Sequence, residues 1–123
     1  MKKITILLSA LLALSFSGCK NSNTPEQAVL NFYQATQNNE YQQALTYTNL
    51  APEEQEQVLQ VLDQMGMVVH NFEVIETNID EGDSTAFVTL HLVTSNAYNP
   101  DTMSNDLDIP CVKVGDKWKV KFI

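Results

Sequence analysis

The hydrophobic period of this chain changes once, at Gly66, and that change restricts the available folds more than any other feature. Before it, apolar residues recur at helical spacing. Val29, Phe32, Tyr33 and Thr36 mark one stripe, Tyr41, Ala44, Leu45 and Thr48 a second, and Val58, Leu59, Val61, Leu62 and Met65 the buried face of a third. After it the period is two: Ala86, Val88, Leu90 and Leu92 share one face of a strand, and Phe87, Thr89, His91 and Val93 share the other. Three helices followed by strands in series predict an α+β domain, with the helices packed on a curved antiparallel meander of about four strands.

Local signals set the boundaries. Thr24-Pro25-Glu26-Gln27 resembles a capping box, with Thr24 as N-cap and Pro25 at the first helical position, where its missing N–H costs nothing. Asn38-Asn39 ends that helix, Pro52-Glu53-Glu54 opens the third with acid at its positive end, and Gly66 closes it. Phe72 to Ile79 alternates imperfectly and leads into turn chemistry at Asp80-Glu81-Gly82-Asp83. Ser95 to Asp106 is polar and rich in Asn, Asp and Pro and predicts a loop. Leu107 to Val114 and Lys117 to Phe122 predict a closing hairpin across Gly115-Asp116, with Trp118, Val120 and Phe122 on one face and Lys117, Lys119 and Lys121 on the other. A meander gives the Leu107–Val114 strand two neighbours, and proline cannot donate to a ladder, so a bulge or late strand start is expected near Pro110.

The N-terminus reads as an address. Met1-Lys2-Lys3, an apolar run from Ile4 to Phe16, and then Ser17-Gly18-Cys19 form a basic region, a short apolar region and small residues at a cleavage point. The run is shorter than the ~17 to 25 residues of a membrane-spanning helix. Phe16-Ser17-Gly18-Cys19 resembles a bacterial lipobox, although the usual Leu is replaced by Phe16. The resemblance implies cleavage between Gly18 and Cys19 and lipid on the Cys19 thiol. Residues 1–18 are thus read as a lipoprotein signal peptide, 19–23 as a lipidated tether and 24–123 as a single α+β domain. Such a protein would sit in the bacterial cell envelope, held to the extracytoplasmic face of a membrane by its lipid.

Cleavage removes Lys2 and Lys3 and leaves five Lys and no Arg against fifteen Asp plus Glu, a net charge of −10. A surface this acidic repels nucleic acid. With Cys19 carrying lipid, Cys111 has no partner in the chain and reads as a small buried hydrophobe.

Three segments taken together carry a wider resemblance: TPEQAVLNFYQATQNNEYQQALTY, the strand STAFVTLHL and the closing VKVGDKWKVKF. They are similar to small lipoproteins of unknown function in the nuclear-transport-factor-two-like (cystatin-like) superfamily, over nearly all of the mature chain. The resemblance implies a cone-like domain whose first helix and concave sheet enclose a pocket, in members that range from isomerases and cyclases to binding or dimerising modules. Fold alone does not choose among them.

The enzymes of that superfamily place an Asp or His base beside an oxyanion donor. His91 is the only histidine within a strong strand, and its face is opposite the helices; His70 falls in the helix-to-strand connection. No metal set, phosphate loop or cofactor motif is present. Phe32, Tyr33, Tyr41, Tyr47 and Trp118 fall on faces that converge and are the candidate pocket lining. Thr102 in Asp101-Thr102-Met103 and Ser84 in Asp83-Ser84-Thr85 resemble O-glycosylation sites of some exported bacterial proteins. The sequence thus reads as a non-enzymatic module that binds a small apolar ligand or a protein partner, or pairs with itself through the sheet. The alternative is an isomerase- or cyclase-like enzyme acting on an apolar carbonyl compound.

Overall fold

The computed structural model describes residues 23–96 and 98–122. Cys19 and the cleavage point at Gly18 lie outside them. Three helices, α1 (Pro25–Gln37), α2 (Tyr41–Leu45) and α3 (Pro52–Met65), precede four strands, β1 (Val68–Ile79), β2 (Thr85–Ser95), β3 (Met103–Val114) and β4 (Lys117–Val120). The strands form one antiparallel sheet in sequential order, β1-β2-β3-β4, curled around α1. This is the α+β meander that the change of period predicts.

Each helix starts where its local chemistry directs. Thr24 caps α1 by accepting from the Gln27 N–H at 3.2 Å, and Pro25 occupies the first turn. The Gln27 side chain donates forward to Asn31 Oδ1 at 2.9 Å. At α3 the Glu54 carboxylate accepts from the Ala51 N–H at 2.8 Å, and Gly66 ends the helix in the left-handed conformation. The apolar face of α3 is only partly used. Leu62 is buried and Val58 and Leu59 are half-buried, but Val61 and Met65 are exposed, contrary to the five-residue buried face that the spacing predicts. The reason is position: among the helices and strands, α3 approaches only α2, so a narrow stripe of it meets the core.

The core lies between α1, α2 and the concave face of the sheet, where Ala86, Val88, Leu90 and Leu92 of β2, Ile109 and Cys111 of β3, and Trp118 and Val120 of β4 are all buried. The imperfect alternation of β1 has a structural cause. Register shifts at His70 and Ile75 let Phe72, Val74 and Thr77 keep facing inward, opposite Leu92, Leu90 and Val88.

Two expectations fail in β3. The strand begins at Met103 rather than Leu107, because Met103 to Asp106 pair in register with Thr94 to His91. Ser104 and Asp106 lie on the convex, solvent-facing side, and Asn105, opposite Leu92, is exposed although its parity is inward, so polarity there does not oppose a ladder. The β2–β3 ladder also runs unbroken through Pro110, opposite Phe87. The strand order is still the expected meander. The Pro110 carbonyl accepts from the Lys121 N–H at 2.9 Å, so its missing donor faces β4, whose ladder with β3 ends one residue earlier at Cys111–Val120. The proline closes the β3–β4 ladder and leaves the β2 side intact.

The outer edge of β4 is covered. Val120 N–H donates to the Tyr47 carbonyl at 2.8 Å, and Asn49 N–H donates to the Val120 carbonyl at 3.0 Å. Among the described residues, no helix is long and apolar enough to cross a membrane.

Candidate functional site

An aromatic row fills the concave side of the sheet. Phe122, Phe32, Tyr33 and Phe72 run in sequence from the end of β4 to β1. Ring centroids are 5.7 Å apart for Phe122–Phe32, 4.9 Å for Phe32–Tyr33 and 6.3 Å for Tyr33–Phe72, the first two edge-on. Phe32 and Tyr33 are adjacent on α1 and both buried; Phe72 is half-buried. Burial pushes the Tyr33 phenol up to about 12.

The five aromatic residues proposed from sequence do not share one cavity. Phe32 and Tyr33 border a small apolar notch of about 230 Å³ completed by Ile109, Pro110, Val120 and Phe122. Tyr41 instead faces a broad, open cleft between α2 and α3 with Asn39, Gln43 and Gln55, and its hydroxyl donates to the Met67 carbonyl at 3.3 Å. Tyr47 is buried with its hydroxyl accepting from Gln43 Nε2 at 3.1 Å, and Trp118 is buried beneath the Lys113 ammonium, 5.8 Å from the ring centroid. Phe72 and Phe122 belong to the row although sequence reasoning left them out. Both have inward parity, so the alternation of faces could have found them.

His91 lies on the convex face, opposite the helices. It makes a contact that the sequence hid, because Asp106 and Ser104 fall in the segment read as loop. His91 Nδ1 is 2.6 Å from Asp106 Oδ1, and Nε2 is 3.3 Å from Ser104 Oγ. Directly beside it, Thr89 donates to Asp108 Oδ1 at 2.7 Å. The proximity follows from register: 89 with 108, and 91 with 106, are facing pairs whose side chains project together. The order serine, imidazole, carboxylate matches a nucleophile, base and orienting group. The environment differs from such a site, since the Asp106 side chain is 61% exposed and neither cleft includes these residues.

Cys111 is buried, and burial with the nearby Glu26 carboxylate pushes its thiol up to about 12. Ser84 is exposed at the turn before β2, and Thr102 is exposed directly before β3. His70 is exposed, with Nε2 2.8 Å from Ser95 Oγ. Among the described residues no group of three or more His, Cys, Asp or Glu could hold a metal ion.

Three helices on a curled four-stranded antiparallel sheet, with α1 along the concave face, define the α+β cone of the nuclear-transport-factor-two-like fold. Comparison with solved structures gives the same answer. The chain superposes on a Campylobacter jejuni protein provisionally described as an NTF2-like transpeptidase with a TM-score of 0.55 and 19% identity, covering 81% of this chain and 99% of that one. It also superposes on the intermembrane-space region of the chloroplast protein ARC6 with a TM-score of 0.52 and 15% identity, covering 83% of this chain and 93% of that one. At these identities the likeness concerns the fold alone. No protein-family model and no curated protein sequence matches the chain.

Proposed function

We propose that this protein is a lipid-tethered, non-enzymatic interaction module of the bacterial cell envelope, anchored through Cys19. The observation that supports it is the aromatic row: Phe122, Phe32, Tyr33 and Phe72 occupy the concave face where a ligand cavity would lie, and leave a notch of about 230 Å³. Pockets for drug-sized ligands are commonly ~300 to 1,000 Å³. A partner protein therefore suits the concave face better than an enclosed small apolar ligand. Self-association through the convex face, where Phe87, Thr89, His91 and Val93 line up, belongs to the same reading and is measured by sedimentation equilibrium. So does O-glycosylation at the exposed Thr102 or Ser84, which intact-mass spectrometry of the exported protein detects. The test of the filled cone is thermal unfolding with a panel of apolar carbonyl compounds and fatty acids. A ligand at 100 times its Kd raises stability by about 2.7 kcal/mol. No shift in Tm is expected; a saturable rise would place a ligand inside the cone and contradict the reading.

A second reading, acyl transfer or hydrolysis at Ser104, is favoured by one observation, the Ser104–His91–Asp106 chain of hydrogen bonds. Water around the exposed Asp106 carboxylate weakens its hold on the imidazole. Labelling with a fluorophosphonate probe decides the matter. Modification of Ser104 that is lost in His91→Ala supports the enzyme, and no modification supports the interaction module.

A further inference from the structure

Beyond the reach of β4, β3 has an unpaired edge. β4 pairs only with Cys111 to Val114, and Lys121 adds one bond to Pro110, whereas β3 extends back to Met103. The groups on that edge follow from parity. Lys113 N–H donates towards β2, to the Ser84 carbonyl, and the Pro110 carbonyl faces β4, so the N–H and C=O of Ser104 and Asp106 share the outward side of Pro110. Among the described residues nothing pairs with them.

Apolar surface lies beside this edge. Ile109, Phe32, Phe122 and Pro110 line the notch, and Met103, Leu107 and Phe122 are 54%, 38% and 37% exposed. On the convex side the same stretch presents the carboxylates of Asp106 and Asp108. An added strand would therefore meet apolar surface with alternate residues and carboxylates with the others. β4 already has this chemistry where it covers β3: Trp118 and Val120 point inward, and Lys117 and Lys119 point outward.

The geometry points to the Met103–Asp108 edge of β3 as a docking site for an extended partner segment in which Lys or Arg alternates with apolar residues. This rests on the reading of the domain as an interaction module and names the partner's chemistry. A second copy of β3 is a poor occupant. Antiparallel self-pairing centred near Asp106 sets its carboxylate against its own copy, and like charges directly opposite destabilise a pair. A basic segment reverses the sign of that effect.

The test uses the soluble domain, residues 20–123, and a fluorescein-labelled octapeptide of alternating Lys and Val. The control has the same composition with four Lys followed by four Val. Saturable binding of the alternating peptide, at least tenfold tighter than the control and weakened by salt, is expected, together with slowed hydrogen exchange at the Ser104 and Asp106 amides. Ser104→Pro removes one edge donor while keeping the β2 ladder, as Pro110 does at the same parity further along β3, and should weaken binding about tenfold. Asp106→Lys reverses the charge without altering the backbone and gives a second route to the same loss should the proline variant fail to fold. Equal binding of both peptides, or binding unchanged by Asp106→Lys, would overturn the proposal. A domain that ignores the peptide while the His91→Ala variant remains functional in cells would lose the edge site and keep the interaction reading.

Discussion

Burial in the core favours the neutral forms of the Tyr33 phenol and the Cys111 thiol. Their folded pKa values, both about 12, exceed the ordinary 10.0 and 9.0. Raised values favour the protonated form in the folded state, so each contribution is complete below the unfolded pKa and is lost as pH rises towards 12. One pH unit between the folded and unfolded pKa corresponds to about 1.4 kcal/mol. The domain should thus lose stability from about pH 9 upward, by roughly 2 kcal/mol or more at pH 12 from Tyr33 alone. Tyr33→Phe should unfold near wild type at pH 7 and lose less stability above pH 10, as measured by urea denaturation across pH. The Cys111 thiol should react with a disulfide reagent only at the rate of global unfolding. On the convex face, His91→Ala removes contacts to two exposed partners, and its cost should stay within about 0.5 kcal/mol.

Helix α3 separates what spacing can specify from what docking decides. Its five apolar positions are equivalent in the sequence, yet Leu62 is buried and Val61 is 54% exposed, because only α2 lies alongside. Leu62→Ala should cost about 2 kcal/mol and Val61→Ala less than about 0.5, by thermal or chemical unfolding. Thr24→Ala should cost about 1 kcal/mol through the lost bond to Gln27 N–H. The starts of α1 and α3 and the end of α3 were legible because Pro25, Pro52 and Gly66 act through their own backbones. The early part of β3 was not: Ser104, Asn105 and Asp106 have turn-like composition, and only pairing with His91 to Val93 makes them a strand. The same omission hid the His91–Asp106 contact. Pro110 misled for a related reason, since its effect depends on which neighbour its nitrogen faces, and a sequence does not contain that parity. The concave aromatic surface was half legible: Phe32 and Tyr33 stand on one helical stripe, while Phe72 and Phe122 join them through the curl of the sheet.

The described domain is an acidic body whose concave face carries an aromatic row and whose described lysines, Lys113, Lys117, Lys119 and Lys121, all belong to the last hairpin and the residue after it. On the proposed reading, an aromatic concave face and a lipid at Cys19 would together make a protein that works by presenting surface at a membrane. Cys19→Ser should leave the precursor uncut and abolish incorporation of labelled palmitate, and equal labelling of both forms would remove the tether from the account. Surface presentation without turnover is tested most directly by complementation. A strain lacking the gene is given wild type or a His91→Ala/Ser104→Ala double variant, with export and folding verified by fractionation and protease resistance. The double variant should restore the wild-type envelope phenotype in full, because on the proposed reading no step depends on an imidazole base or a serine nucleophile. A well-folded, correctly exported double variant that fails to complement would contradict the account and make the convex His91 site catalytic.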